Sequence, residues 1–307
     1  MQSSKQAVSQ RRIGAGLIIL SAVGFGTLGI FARLSYADGA DPLTVLTLRF
    51  ALAAPIMLVL MALQRASIPR GGTLLGLVLM GGIGYVAQSF SYFTAVSLAS
   101  PGLVALILYT YPAMVTVLAA VFLHERLTAL TILVVVLALT GTALTLGPAI
   151  ATAQSQPLGL VFALAGAIIY AVYILVGSRI TPRAGALSSS TVIILSAAVV
   201  LGSVVAWRGP TFPTSSTGWI AVAAIALIST VLPIVAFFAG LARVGATAAA
   251  TFSTLEPVVT VVLAALVLAQ PLTPIQLVGG MLILVAAVVL AVARGRQRTP
   301  ASGTVSS

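Results

Sequence analysis

Long apolar segments recur along the whole chain, and short polar or glycine- and proline-containing connections separate them. Each segment is about 20 residues long, which is the length that an α-helix needs to cross the hydrocarbon core of a bilayer. None of them shows the alternating pattern of a membrane barrel strand. The pattern predicts ten transmembrane helices, at residues 13–35, 43–63, 72–94, 99–123, 128–147, 157–178, 187–207, 217–240, 246–268 and 273–293.

The first apolar segment resembles a secretory signal peptide in its basic start and its Ser-x-Ala ending. Its apolar part runs from Ile13 to about Ala32. That is longer than the apolar region of a signal peptide, which has about 7–15 residues. We therefore expect this segment to be the first span.

The composition supports a membrane protein and argues against nucleic-acid-binding proteins and enzymes. The chain of 307 residues is 60% hydrophobic and 6% charged, whereas soluble domains carry about a quarter charged residues. The net charge of +11 is spread between apolar runs, so we expect no nucleic-acid partner. Cysteine is absent and Lys5 is the sole lysine, so the chain has no cysteine-based metal site and no P-loop lysine. We expect no cofactor, no metal, no catalytic residues and no enzyme activity.

The basic residues predict the orientation of the ten spans. With the N-terminus inside, twelve of the 15 basic residues lie on the inner side, Arg33 and Arg208 lie on the outer side, and Arg49 lies within a span. Such a bias is typical of cytoplasmic connections. We expect a multi-pass protein of the inner (plasma) membrane with both termini in the cytoplasm, and a disordered cytoplasmic tail at 294–307.

Two segments offset by 145 residues reveal an internal repeat. "PAMVTVLAAVFLHERLT" (112–128) and "PVVTVVLAALVLAQPLT" (257–273) share eight of 17 residues, including Pro112 and Pro257. Each covers the end of a fourth span and the start of a fifth, which predicts five-helix repeats at 13–147 and 157–293. Because five is odd, the second repeat must insert inverted. The predicted fold is thus an all-α polytopic membrane protein of two inverted repeats, an architecture of many secondary transporters.

Two charged residues lie inside predicted spans. Glu256 is costly there, so it is a candidate to carry a proton or to anchor a substrate amine. It could equally be a buried acceptor tied to Thr254 or Thr260. Arg49 lies about 10 Å into the second span by helix rise. It either snorkels to the outer surface or is the charge partner of Glu256 or of a substrate carboxylate.

The prolines shared by the repeats, Pro112 and Pro257, are predicted to be hinge or gating positions. A proline in a helix interior removes a hydrogen bond, and in a bilayer the freed carbonyl must face protein or water. The alternative is a kink that packing tolerates.

Polar and aromatic side chains predict a substrate site. In the third span Tyr85, Gln88, Ser89 and Tyr92 share one helical face, which would be unfavourable against lipid. We expect further interior aromatic residues to complete an apolar pocket with a few hydrogen-bonding groups, namely Tyr109, Tyr111, Tyr170, Tyr173, Phe237 and Phe252. Each of them could instead serve core packing or an interfacial belt.

The paired segments, together with "LRFALAAP" in the second span, resemble the EamA-type family of the drug/metabolite transporter superfamily over residues 13–293. The family's glutamate near the end of helix four is matched by Glu125, but Gln270 stands in the second repeat, which favours a structural or topological role. Within the family, the aromatic stripe is most similar to YddG-like amino-acid exporters. The resemblance implies a secondary transporter that exports amino acids, aromatic or otherwise apolar, or related small metabolites by alternating access. We expect the third, fourth, eighth and ninth spans to line its cavity, with the first and sixth contributing.

Other functions stay open at this point. Export could be proton-coupled and concern another substrate class, or it could be facilitated diffusion. A channel would need a continuous polar pore, for which one short polar stripe is poor support. The expected partners are a small-molecule substrate and the lipid bilayer, and a monomer is compatible with the sequence.

Overall fold

A computed structural model describes residues 2–99, 101–147, 156–268 and 272–296. Of the tail predicted to be disordered, 294–307, residues 294–296 belong to the last helix, Pro274–Arg296, and the others lie outside this part, as does Gln270. Within it the regular structure is helical, with fifteen α-helices and two π-helical segments: α1 Gln2–Gly26, α2 Leu28–Ala37, α3 Pro42–Leu63, α4 Gly71–Leu79, π1 Met80–Tyr85, α5 Val86–Leu98, α6 Pro101–Leu108, α7 Tyr111–Leu123, α8 Ala129–Leu146, α9 Pro157–Ala184, α10 Ala186–Arg208, α11 Ser216–Ala226, π2 Leu227–Val231, α12 Leu232–Val244, α13 Ala246–Ser253, α14 Leu255–Leu268 and α15 Pro274–Arg296.

Ten helical stretches of the described part are long and apolar enough to cross a membrane, which confirms the predicted architecture. They are Ser9–Ala37, Pro42–Leu63, Gly71–Tyr92, Val104–Leu123, Ala129–Leu146, Pro157–Ala184, Ala186–Arg208, Ser216–Val244, Ala246–Val267 and Pro274–Val292. The second, fifth, sixth, seventh and tenth spans are single helices. The first, fourth and ninth spans are each broken into two helices, and the third and eighth contain π1 and π2. The interruptions in the third and fourth spans therefore recur in the eighth and ninth.

The distribution of exposed residues is that of a protein in lipid. Large apolar side chains point outward, such as Leu266 (77% exposed) and Ile220 (69%). Hydroxyl side chains lie inside, for example Thr191 of the seventh span, which is 1% exposed and donates to the Leu187 carbonyl at 2.8 Å. Lipid is the solvent in which this arrangement is stable, because it leaves polar groups to pair within the bundle.

Spans of the two halves pack against each other in pairs. The first runs along the eighth and the third along the sixth, while the second contacts the seventh and the fifth contacts the tenth. Each span of the first half corresponds to the span five positions later in the second half. Replacing every span by its counterpart converts the first–eighth pair into the sixth–third pair and leaves the second–seventh and fifth–tenth pairs unchanged, as expected for inverted repeats.

Glycines allow the closest of these approaches. A Cβ on Gly141 of the fifth span would lie 2.7 Å from the carbonyl oxygen of Gly279 of the tenth. Small residues at such crossings are typical of membrane helices. Gly76 at the start of the third span makes a similar approach, to the Ile180 side chain, whereas the nearby Gly72 has open space around it.

Connections at each end of the bundle also join the halves. At one end, the Asp38 end, the connection after the first span meets the connection before the eighth: Asp38 accepts a hydrogen bond from the Ser215 backbone N–H at 2.8 Å. At the other, the Glu125 end, the Glu125 carboxylate accepts from the Ala246 N–H at 3.2 Å and so caps the start of the ninth span. This contact fits the structural role that the repeat comparison favoured for Glu125.

Candidate functional site

The two repeated prolines follow matching breaks in the fourth and ninth spans. α6 ends at Leu108 and α7 begins at Tyr111, so Pro112 lies in the first turn of α7. Pro257 likewise lies in the first turn of α14, after a break at Thr254. Both prolines thus lie beside a helix break and not in a helix interior, and their role as hinges stays a prediction. In the first turn of a helix no N–H donates to a carbonyl of the same helix, so the missing N–H of proline removes no helical hydrogen bond there. The helical hydrogen bonds are interrupted instead at the break that precedes the proline.

Threonine hydroxyls satisfy carbonyls at these breaks. Thr110 donates to the Ile107 carbonyl at 2.7 Å, and Thr254 donates to the Thr251 carbonyl at 2.7 Å. Each of these carbonyls also accepts from the backbone N–H of the same threonine, at 3.1 and 3.2 Å, so both bonds close the turn at the break. Each break is thereby stable within the bundle without a continuous helix.

Five tyrosines from the third, fourth and sixth spans form a continuous chain of ring contacts, which we call the tyrosine cluster: Tyr85, Tyr173, Tyr170, Tyr111 and Tyr109. In this order the ring centroids are separated by 6.2, 6.2, 4.7 and 6.1 Å. Tyr170 and Tyr173 are three residues apart and so share one face of α9. The structure therefore brings together these five residues of the predicted site, at the boundary between the halves.

Exposure within the tyrosine cluster is uneven. Tyr85 and Tyr170 are half-buried, while Tyr111 is only 1% exposed. Within the described residues the Tyr111 hydroxyl has no hydrogen bond of normal geometry, although Ser253 of the ninth span lies close by. Buried hydroxyls normally have a partner, so this group is available for one.

Glu256 lies at one end of the tyrosine cluster. The side chains of Tyr109, Tyr111 and Tyr170 lie near its carboxylate. The residue is half-buried, and its neighbours Leu255 and Pro257 are buried. Because Glu256 points at interior tyrosines, its exposed part faces the interior of the bundle and not lipid. Thr260 donates to the Glu256 backbone carbonyl at 3.1 Å and not to the carboxylate.

Arg49 lies at the other end of the tyrosine cluster. Its side chain is 4% exposed, so of the two alternatives for Arg49 the one in which it snorkels to the surface is wrong. The guanidinium lies 5.0 Å from the centre of the Phe50 ring and 5.7 Å from that of Tyr85. It forms no ion pair within 4 Å with Glu256, although the two charges lie within electrostatic range. Arginine is well suited to such aromatic surroundings.

Partners from the eighth span hold Arg49 in place. Its Nε donates to the Thr230 hydroxyl at 2.6 Å, and Nη2 reaches the Ser229 carbonyl at 3.5 Å. Pro233 lies four residues after Ser229 and has no N–H to offer, so this carbonyl lacks its usual helical donor. The π2 segment and the proline thus create the acceptors for Arg49, and such segments are frequent at functional sites.

A hydroxyl network joins this region to the break in the first span. Thr27, at the break, lies 2.7 Å from the Ser229 hydroxyl, and Ser21 donates to the Pro233 carbonyl at 2.9 Å. The first, second and eighth spans therefore meet around Arg49. Their contribution was only partly predicted, since Phe50, Thr27, Ser229 and Thr230 were not identified from sequence.

The remaining predicted site residues lie outside the chain of ring contacts. Tyr92 is half-buried within electrostatic range of Glu256. Gln88 is half-buried beside it on α5, and Ser89 is buried. Phe237 contacts Phe238, at 5.5 Å between ring centres, and Phe238 in turn contacts Tyr173. Phe252 is 1% exposed in the main apolar core.

The acidic groups of the Asp38 end have partners of their own. Hydrogen bonds from the backbone and side chain of Ser215 lower the pKa of Asp38 below its ordinary value. Partial burial of Asp41 acts in the opposite direction, but hydrogen bonds from Thr44 and Leu43 outweigh it and lower its pKa as well. Arg208 lies 3.8 Å from Asp41. These carboxylates cap helices and join connections, and they lie apart from the tyrosine cluster.

The site thus places one cation and one carboxylate at opposite ends of a tyrosine-lined region between the halves. Such a site can bind a small molecule with an apolar body, because aromatic rings supply apolar area and their hydroxyls supply hydrogen bonds. The two separated charges favour one orientation of a bound molecule that carries charges of its own. It offers no nucleophile activated by a base.

Comparison with known proteins gives consistent results. A sequence model of the EamA-like transporter family matches residues 12–147 and 157–292. The chain is 26% identical over 292 residues to the uncharacterized transporter YcbK of Bacillus subtilis (strain 168), covering 91% of this chain and 93% of that protein. A solved structure, described only as a crystal structure of a protein, is similar with a TM-score of 0.80 at 23% identity, covering 93% of this chain and 99% of that chain. This last likeness concerns the fold alone.

Proposed function

Because the chain belongs to the EamA-like transporter family, and is thus a multi-pass membrane transporter and not an enzyme, we propose that it exports amino acids or related small metabolites. The preferred substrates have aromatic or other apolar side chains. Transport proceeds by alternating access across the inner membrane, with both termini in the cytoplasm and the repeats 13–147 and 157–293 as the moving halves.

The observation that carries this proposal is the tyrosine cluster with a charge at each end. Tyr170 and Tyr173 of the sixth span face Tyr85 of the third and Tyr111 of the fourth, so both halves contribute to one site. Ring faces favour apolar and aromatic side chains. Arg49 and Glu256 match the carboxylate and the ammonium of an amino acid.

The breaks at Tyr109–Thr110 and Thr254 support alternating access. Both lie next to site residues, Tyr111 in one half and Glu256 in the other. Hinges are short segments that absorb a change in backbone angles between rigid elements. Rocking of the half-helices about Pro112 and Pro257 would then open the site to one side at a time.

Counterflow in proteoliposomes tests the proposal. Purified protein is reconstituted into vesicles loaded with one unlabelled compound, and uptake of the labelled compound is followed for a panel of amino acids and polyamines. We expect transient accumulation of apolar and aromatic amino acids. Accumulation of polyamines alone, or of nothing in the panel, would contradict the substrate class, and single-channel conductance would identify a channel instead.

A substitution of Glu256 tests whether transport is coupled to protons. If Glu256 carries a proton, Glu256→Gln abolishes accumulation driven by a pH gradient. Counterflow, which needs no proton movement, persists with a lower affinity for amino acids, because their ammonium group loses its charged partner. If transport is facilitated diffusion, the wild type shows no pH-driven accumulation. Uptake by Glu256→Gln with the pH dependence of the wild type would exclude Glu256 as the proton carrier.

A further inference from the structure

Arg49 is a buried cation that no carboxylate of the chain neutralises directly. All four acidic residues belong to the described part, and none lies within 4 Å of its guanidinium. The partners of Nε and Nη2 are neutral oxygens, those of Thr230 and Ser229. A charge in the membrane interior is costly unless it is paired, so an anion that reaches Arg49 gains favourable interaction energy.

The surroundings of Arg49 fix its orientation. Phe50 and Tyr85 lie against the guanidinium, and the Thr230 hydroxyl holds Nε from the eighth span. Tyr85 is half-buried and its ring contacts Tyr173, so Arg49 borders the tyrosine cluster directly. A guanidinium held by Nε keeps its terminal N–H groups in a planar fork, the geometry that matches a carboxylate.

We propose that Arg49 is the specificity-determining residue that binds the carboxylate of the transported molecule. The inference rests on the proposed transport function and narrows its substrate class: substrates carry a carboxylate next to an apolar or aromatic body. The carboxylate lies at Arg49, the body lies along the tyrosine cluster, and an amine, where present, points toward Glu256. Compounds with an amine and no carboxylate, polyamines included, bind poorly.

Arg49 and Glu256 do not form an ion pair with each other within 4 Å, as expected if each of them binds a group of the substrate. Two opposite charges in contact would neutralise each other and leave neither for a ligand. Here Arg49 is held by neutral hydroxyl and carbonyl oxygens, and Glu256 lies beside the Tyr109 side chain, so neither charge neutralises the other. A zwitterion between them would satisfy both.

Ligand binding to the purified protein tests this inference separately from transport. Three ligands of one size are compared by calorimetry: L-phenylalanine, 3-phenylpropionate, which lacks the amine, and phenethylamine, which lacks the carboxylate. We expect the wild type to bind the two carboxylates more tightly than phenethylamine. Arg49→Gln should weaken both carboxylates by about tenfold or more, the effect of losing one charged hydrogen-bonding partner, and leave phenethylamine unchanged.

Arg49→Lys keeps the charge but loses the planar fork, so it controls for folding. We expect it to bind the two carboxylates with intermediate affinity and phenethylamine as the wild type does. If Arg49→Gln does not fold, selective weakening of carboxylates in Arg49→Lys supports the inference. Equal weakening of all three ligands in a folded variant, or no weakening in either variant, would overturn it.

The two proposals fail in different ways. Selective carboxylate binding without counterflow of any amino acid would overturn the proposed export function and leave the role of Arg49 intact. Counterflow by the wild type together with equal carboxylate affinity in Arg49→Gln would overturn the role of Arg49 and leave export intact.

Discussion

Replacement of Gly81 by alanine should loosen the packing of the third span against the seventh. Gly81 belongs to π1, four residues before Tyr85. A Cβ at this position would lie 2.3 Å from the Ile193 carbonyl oxygen and 2.8 Å from its Cα. Both are backbone atoms of α10, so no side chain can rotate away to make room.

The neighbouring Gly82 supplies a matched control in the same segment. A Cβ there would meet its nearest atom, a methyl group of Val200, at 3.4 Å, which is ordinary contact. The Cβ on Gly81 would be about 1.1 Å closer than that to its neighbour, since its distance is 2.3 Å. Forcing such overlap into a packed interior costs about 1–3 kcal/mol, and alanine returns about 0.5–1 kcal/mol through its better helix propensity.

Because a contact of 2.3 Å lies at the upper end of that cost, we expect Gly81→Ala to lower the free energy of unfolding by about 1–2 kcal/mol. For a chain of 307 residues, this is a loss of about 1.5–3 °C in Tm. Gly82→Ala should match the wild type or exceed it slightly. Thermal unfolding of both variants in one detergent, followed by tryptophan fluorescence, measures the difference. Equal Tm values for the two variants would refute the close backbone contact between π1 and α10.

Three further predictions concern the ends of the bundle. The pKa of Asp38 is lowered in the folded state, so its contribution to stability is present at neutral pH and is lost as the pH falls below about 4. In Asp38→Asn, Tm should therefore lack the fall at acidic pH that Asp38 causes in the wild type. The same pH dependence of Tm in both proteins would contradict this role of Asp38. Asp41→Ala removes the side-chain acceptor of the Leu43 and Thr44 N–H groups and should cost about 1–2 kcal/mol in urea unfolding. Arg208→Ala removes only an exposed ion pair and should cost at most about 1 kcal/mol. A larger loss of stability in Arg208→Ala than in Asp41→Ala would indicate that the ion pair, and not the helix cap, is the main contribution of Asp41. Glu125→Ala should lower Tm while Glu125→Gln, which keeps an oxygen acceptor for Ala246, should not; equal losses would indicate that charge and not capping is involved.

The ten spans followed from the sequence because lipid imposes one strong requirement, an apolar helix of sufficient length. The pairing of Pro112 with Pro257 was visible for the same reason, since few polar or helix-breaking residues interrupt such a background. Of the aromatic residues, the tyrosines were the informative ones. A phenylalanine such as Phe252 packs in an apolar core without further requirements, whereas a buried tyrosine must place its hydroxyl.

The details of the site could not be read from the sequence. A π-helical segment such as π2 depends on which carbonyls find partners on other helices, and those partners are distant in the chain. Thr230 is one threonine among many until the fold places it beside Arg49, 181 residues away. The "STVLP" segment carries a partial signal, because adjacent Ser229 and Thr230 precede Pro233 within an otherwise apolar span.

Cysteine accessibility at Tyr170 tests most directly whether the tyrosine cluster is the transport site. The chain has no cysteine, so Tyr170→Cys introduces the only thiol, and Leu266→Cys on the outward apolar surface, where Leu266 is 77% exposed, is the control. A membrane-impermeant maleimide is applied to right-side-out and inverted vesicles. We expect the maleimide to label Tyr170→Cys from both sides of the membrane and not to label Leu266→Cys. The amino acid that gives the strongest counterflow should protect Tyr170→Cys from labelling. Labelling from one side alone, or labelling that this amino acid does not reduce, would contradict this expectation.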